Sequence, residues 1–219
     1  METHGEDAAV QAVGALADPA RRRLYDYVSS KDEPVAREDA ASATGMSRTL
    51  AAYHLDRLAE AGLLETSYAR DPGRGGPGAG RPAKRYVRSA RETSVSVPPR
   101  DYRLLAELMT SAVAADDTGR VREALVSAAE AEGTRSATPA RTLETELRDR
   151  GYEPSDADGS DITLRNCPFH RLAQRHTDLV CGMNHALLRG VLAAHGDDPE
   201  RARLDPQEGR CCVVLTGSF

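Results

Sequence analysis

Apolar positions at helical spacing organise the first sixty residues. Leu16, Leu24, Tyr27 and Val28 lie near one face of a helix that Asp18 caps, Pro19 begins and Ser30 roughly ends, with Arg21, Arg22 and Arg23 mostly on its solvent side. A second, short helix over about 37–44 presents Ala40, Ala41 and Ala43, small enough for another helix to pack closely. Gly45 suits the left-handed turn that ends it, and Met46 fills the gap. Ser47 then caps a third helix to about Ala61, with Leu55 and Leu58 inward and Gly62 as its stop. Two helices joined by a tight glycine turn predict a helix-turn-helix. The period then changes. Residues 63–68 and 84–88 read as paired strands, and between them residues 70–82 hold five glycines and three prolines, a flexible hairpin tip or wing.

The second half follows an extended, proline-ended connector at 95–100. Leu105, Leu108, Met109, Ala112 and Val113 predict a helix over 101–115, with Met109 read as core. Val121, Leu125 and Ala128 predict another over 118–132, and both helices are candidates for dimerisation. Thr138-Pro139 is expected to open a helix lined by Leu143 and Leu147 and ended by Gly151. Asp158-Gly159 reads as a turn before a strand with Ile162 and Leu164 on one face. A long helix over 177–194 keeps Val180, Met183, Leu187, Leu188 and Val191 inside, and 211–215 reads as a final strand. The expected fold is α+β and predominantly helical, with a winged helix-turn-helix at 1–92 and an α+β dimerisation and sensor domain at 93–219.

Composition narrows the function. The 219 residues are 40% hydrophobic and 29% charged, enough to bury a core, and no apolar run reaches the roughly 20 residues of a bilayer span. The N-terminus lacks the order of a signal peptide, so the expected location is cytoplasmic, with no membrane partner. Two Phe, seven Tyr and no Trp argue against stacking platforms for single strands. The net charge of −5 hides an uneven distribution: residues 1–100 carry 15 Lys and Arg against 14 Asp and Glu, the remainder 14 against 20. Between Arg70 and Arg91 seven basic residues face one acid, Asp71, a local footprint for a polyanion.

Leu16-Ala17-Asp18-Pro19-Ala20-Arg21-Arg22, Gly45-Met46-Ser47, Tyr53-His54-Leu55-Asp56-Arg57-Leu58 with Ala61-Gly62-Leu63-Leu64, and Gly80-Arg81-Pro82-Ala83-Lys84-Arg85-Tyr86, in this order and spacing, resemble the winged helix-turn-helix of bacterial ArsR/DeoR-like transcriptional regulators over roughly residues 10–90. The resemblance implies a homodimer that lays the third helix in the major groove of double-stranded operator DNA. The residues themselves agree. With Leu55 and Leu58 inside, Ser47, Arg48, Thr49, Tyr53 and Arg57 stay on or beside the exposed face. Ser47 or Thr49 suits a phosphate at the helix N-terminus, and Arg48 suits a guanine edge. Arg74, Arg81, Lys84 and Arg85 of the wing suit phosphates or a narrow minor groove. His54 reads as a half-buried structural residue. No catalytic residue and no enzymatic activity are expected of the chain.

All four cysteines belong to the second half: Cys167, Cys181 and the vicinal Cys211-Cys212. None has the C-x-x-C spacing of a zinc ribbon. If 211–215 is a regular strand, side chains alternate and only one of the vicinal pair faces Cys167 and Cys181, so a site has three thiolates and needs a fourth ligand. His170, one turn beyond Cys167, is the leading choice, ahead of His176, Asp178 and His185. Sulfur-rich donors suit an iron-sulfur cluster, with zinc as the alternative. Arg165-Asn166-Cys167-Pro168, Leu179-Val180-Cys181 and Gly209-Arg210-Cys211 resemble the C-terminal domain of SufR-type iron-sulfur repressors, which implies a cluster on Cys167, Cys181 and Cys211. Cys212, Cys167-Pro168-Phe169-His170 and a longer gap before the last cysteines depart from that pattern. Redox-active thiols without metal, and bland core packing, stand beside it. A thiol enzyme using Cys167 and His170, or a winged helix that has lost DNA binding, are the readings from other classes.

Overall fold

The computed structural model describes residues 3–69, 82–97, 101–155, 161–207, 209–217 and 219. The wing residues Arg74 and Arg81, the end of the connector at 98–100 and the Asp158-Gly159 turn lie outside them. The architecture is α+β and predominantly helical, in two compact units, Met1–Arg100 and Asp101–Phe219.

The first unit begins with α1 (Thr3–Ala15), which the hydrophobic pattern does not announce; it buries Ala12 but leaves Val10 and Val13 exposed. Helix α2 (Pro19–Ser29) starts as expected, because the Asp18 carboxylate accepts from the backbone N–H groups of Ala20 (2.8 Å) and Arg21 (3.1 Å). Helix α3 (Arg37–Thr44) ends on Gly45 at φ +68°, a conformation that costs a side-chain-bearing residue but not glycine. The N–H of Met46 closes that turn on the carbonyl of Ala41 (2.9 Å). Helix α4 (Arg48–Glu60) follows after this turn, burying Ala51, His54, Leu55 and Leu58.

Three strands complete the unit: β1 (Val35–Ala36), β2 (Leu64–Ala69) and β3 (Ala83–Arg88), in the order β1-β3-β2. The β2–β3 hairpin pairs antiparallel from Leu64↔Arg88 to Ala69↔Ala83, as the alternation of residues predicts. Strand β1 is too short to read from sequence; it forms because Val35 and Ala36 find Tyr86 and Arg85 across the ladder. Leu24, Leu55, Leu58 and Tyr86 are fully buried in one core beneath the sheet and helices. Each large apolar side chain so buried contributes about 1.5–3 kcal/mol.

In the second unit, α5 (Tyr102–Ala114) and α6 (Arg120–Ser136) occupy the expected segments. Their apolar residues do not. Helix α5 buries none of its described residues, and Met109, expected in the core, is 62% exposed; the helical period was right, but among the described residues nothing covers that face. Helix α6 buries Ala129 and Gly133 rather than Val121 and Ala128, so its inward face is set by the helix it packs on. That helix is α9 (Thr177–Ala194). A Cβ on Gly133 would lie 2.1 Å from the Leu187 carbonyl oxygen, and one on Gly190 would lie 2.1 Å from that of Glu130, so the two backbones meet at glycines. The Thr134 hydroxyl donates across the crossing to the Gly190 carbonyl (3.2 Å).

Helix α7 (Leu143–Asp149) opens at Thr142, whose hydroxyl accepts from the Thr145 N–H (3.2 Å), and not at Thr138-Pro139, which enter a single turn closed by the Arg141 N–H on the Thr138 carbonyl (2.9 Å). Four strands, β4 (Pro154–Ser155), β5 (Ile162–Leu164), β6 (Ala202–Leu204) and β7 (Val213–Leu215), form an antiparallel sheet in the order β4-β5-β7-β6. Helix α8 (His170–Ala173) follows Cys167-Pro168-Phe169. Leu147, Tyr152, Ile162, Leu164, Leu188, Leu192 and Leu215 make the core together with Cys181, Cys211 and Cys212, and Cys167 packs against it.

Candidate functional site

Helix α4 presents the first candidate surface. The Ser47 hydroxyl accepts from the Leu50 N–H (3.3 Å), leaving other N–H groups of that turn available to an anion. Thr49, Tyr53 and Arg57 recur every four residues, so they line one stripe, and with Ser47 and Arg48 all five are exposed. Inward from the stripe, His54 is buried as expected, edge-on to Tyr53 at 5.3 Å, with Nδ1 unpartnered. Both arginines have carboxylate neighbours: Arg48 with Glu38 of α3 at 3.2 Å, and Arg57 with Glu60 at 2.8 Å. Exposed pairs of this kind hold each other by about 0–1 kcal/mol, so a phosphate or a base edge competes with them readily.

The wing residues divide. Arg74 and Arg81 lie outside the described residues. Lys84 and Arg85 lie near the start of β3 and are engaged inside the domain: Lys84 Nζ sits 2.6 Å from an Asp56 oxygen, and Arg85 Nη1 donates to the Pro34 carbonyl (3.2 Å). Asp56 also accepts from the Tyr86 hydroxyl (2.8 Å), so one carboxylate of α4 gathers two residues of β3. Partial burial opposes the charge on Asp56, but the Lys84 and Tyr86 contacts outweigh it and hold its carboxyl below the ordinary 3.8. Burial, then Asp56 itself, push the Tyr86 hydroxyl up. Sequence reasoning missed Asp56 and Glu38; their partners are 28 and 10 residues away, and no local spacing announces them.

The thiols form the second candidate site. Cys181, Cys211 and Cys212 are buried and Cys167 half-buried, and all four are free. Cys181, Cys211 and Cys212 belong to one buried apolar cluster, and Cys167 packs against it. The expectation that strand alternation would turn one of the vicinal pair away fails because β7 begins only at Val213. Cys211 and Cys212 precede it in irregular backbone, where the rule has no force.

Cys211 is singled out. Its sulfur accepts from Asn184 Nδ2 (3.3 Å) and more distantly from the Val213 N–H (3.5 Å). Asn184 is wholly buried in α9, and its Oδ1 accepts from the Tyr152 hydroxyl. The Cys167 contact lowers the Cys211 pKa, while Cys212 and burial raise it more, leaving it pushed up to about 11. The neighbouring Cys211 thiol and burial push the Cys167 thiol up as well, so both are held in the neutral form.

His170 does not join the thiols: it is exposed, with Nε2 3.0 Å from Gln174 Nε2. His185 Nε2 lies 2.9 Å from the Ala202 carbonyl, and His176 sits at the start of α9. Soft sulfur donors fit an iron-sulfur cluster or zinc by chemistry, yet among the described residues no three His, Cys, Asp or Glu converge into a group ready to hold a metal ion. Also among the described residues, no helix is long and apolar enough to cross a membrane.

Residues 16–67 match a protein family described as a helix-turn-helix domain. They run from the last residues before α2 into β2 and include every α4 residue named above. No curated protein and no solved structure matches the chain.

Proposed function

We propose that the protein is a transcriptional regulator, acting as a repressor, that binds double-stranded operator DNA through α4 and the wing and responds to a signal received by the thiols of its second unit. The observation that carries the reading is the exposed Ser47, Arg48, Thr49, Tyr53 and Arg57 stripe on a capped helix inside the matched helix-turn-helix. In it, the N-terminal turn takes a phosphate, Arg48 exchanges Glu38 for a base edge, and Arg74 and Arg81 supply further phosphate contacts.

The protein works on DNA as a homodimer with a pseudo-palindromic site. The uncovered α5 face, with Leu104, Leu105, Leu108 and Met109 between 49% and 62% exposed, supports a second copy as its cover. The sensor holds an iron-sulfur cluster, or zinc in its place, through Cys167, Cys181 and Cys211. Cys212, buried in the same cluster and next to Cys211 in the chain, is a better fourth donor than the exposed His170. The bound group would supply the charge that keeps these buried thiols ionised.

Two experiments test this. Fluorescence anisotropy with the gene's own upstream DNA against a scrambled duplex, across a salt series, should show preferential binding that weakens steeply with salt. Equal affinity for both duplexes removes the operator reading. Iron, acid-labile sulfide and zinc analysis of anaerobically purified protein decides the cofactor, and substoichiometric metal in every preparation rejects it.

A further inference from the structure

We propose that Leu50, with Tyr53 beside it, reads the 5-methyl group of thymine in the major groove, so that α4 selects a base by apolar contact as well as by the guanidinium of Arg48. The inference rests on the reading of α4 as the helix that meets operator DNA, and it names the base feature its apolar positions recognise.

Helix α4 carries four large apolar side chains, and they divide by face. Leu55 and Leu58 are fully buried, whereas Leu50 is 44% and Tyr53 56% exposed. The core does not call on the exposed two, because Ala51, His54, Leu55 and Leu58 already fill the inward face. Three residues apart on one helix, Leu50 and Tyr53 are neighbours on its surface. They make a single apolar spot on an otherwise polar outer face of Arg48, Thr49, Arg57 and Glu60.

The surroundings of that spot select its occupant. Leu50 stands in the first turn, where its own backbone N–H donates to the Ser47 hydroxyl (3.3 Å), and Arg48 and Thr49 precede it directly. Arg57 follows Tyr53 one turn on, so the spot is bracketed by cations. An apolar protein surface laid over it would strip water from both arginines without compensation. A major groove satisfies both kinds of group: phosphates and guanine edges take the arginines, and the thymine methyl projects into the same groove as its apolar feature. A reading helix meets base edges with its N-terminal residues, which is where Leu50 lies. The capping bond belongs to the backbone of Leu50, so its side chain can be changed without touching the start of the helix.

The test removes the methyl and nothing else. The gene's upstream DNA and a scrambled duplex are each synthesised with thymidine or with deoxyuridine in its place, which keeps every hydrogen-bonding group of the base. Fluorescence anisotropy is measured on full-length wild type, Leu50→Ala and Tyr53→Ala. Wild type should bind the deoxyuridine form of the upstream duplex at least about fourfold more weakly, the factor for one buried methyl. Leu50→Ala should bind the two forms alike, and Tyr53→Ala should narrow the difference, which carries the test should Leu50→Ala fail to fold. A wild type that prefers upstream DNA and is indifferent to the methyl sinks this contact alone. A loss as large in both variants as in wild type overturns it too, because the methyl then acts through the shape of the duplex. Equal affinity of wild type for upstream and scrambled thymidine duplexes fails the operator reading itself, and the methyl contact falls with it.

Discussion

The Asp56 carboxylate of helix α4 accepts a hydrogen bond from the Tyr86 hydroxyl, 30 residues on and fully buried in the middle of β3. With Lys84 on the same oxygen, this contact fixes where the wing springs from relative to the helix proposed to enter the groove. Replacing Asp56 by Ala should lower stability by about 1 kcal/mol, the low end for a charged hydrogen bond because the carboxylate is half exposed. DNA affinity should fall with it, and chemical denaturation beside DNA titration checks both. Unchanged affinity in a folded variant removes the positioning role.

The same group makes a prediction about pH. Because the folded Asp56 carboxyl is held below 3.8, its stabilising contribution is complete above its unfolded value and is lost as pH falls through the folded one. Asp56→Asn should flatten the acid limb of the stability curve below about pH 4 relative to wild type. Parallel acid limbs in the two proteins would place the dependence on other carboxylates.

Arg48→Ala should reduce preference for operator over scrambled DNA by roughly 1–3 kcal/mol if Arg48 reads a base. Glu38→Ala should do the reverse, raising affinity for both duplexes by removing a competing carboxylate 3.2 Å from that arginine. Competition anisotropy measures both; an Arg48 variant with unchanged preference shows that the residue serves phosphate alone or nothing.

Arg74→Ala with Arg81→Ala should leave sequence preference intact and shrink the slope of log affinity against log salt by about 0.9 for each phosphate the variant no longer neutralises. A slope equal to wild type takes both out of the interface.

Glycines of the second unit separate packing from propensity. Gly133→Ala and Gly190→Ala each force a methyl to 2.1 Å from a carbonyl oxygen of the facing helix and should cost about 1–3 kcal/mol or more. Gly182→Ala, on the same helix α9 with nothing within 4 Å, should stabilise by roughly 0.5–1 kcal/mol. Urea denaturation of the three variants gives the sign directly.

Much of the fold was legible in the chain, for reasons that are local. Asp18-Pro19, Gly45 and Ser47 act through their own backbone or a neighbour's within three residues, so the helix-turn-helix could be read with its boundaries nearly in place. Ile162 and Leu164 followed from strand alternation, and the stripe at 49, 53 and 57 from helical period. Period alone failed at Met109 and Val121: it says which residues share a face, not whether the chain supplies anything to cover it.

The sequence by itself determined the helices, the hairpin partners and the order of the chemical groups, because capping, turn geometry and periodicity are settled within a few residues. Only the tertiary structure decided which groups meet: Lys84 and Tyr86 with Asp56 across the first unit, and Asn184 with Tyr152 and Cys211 in the second. Those meetings depend on where strands end and helices cross. That is fixed by core packing summed over residues far apart in the chain, and no local pattern encodes it.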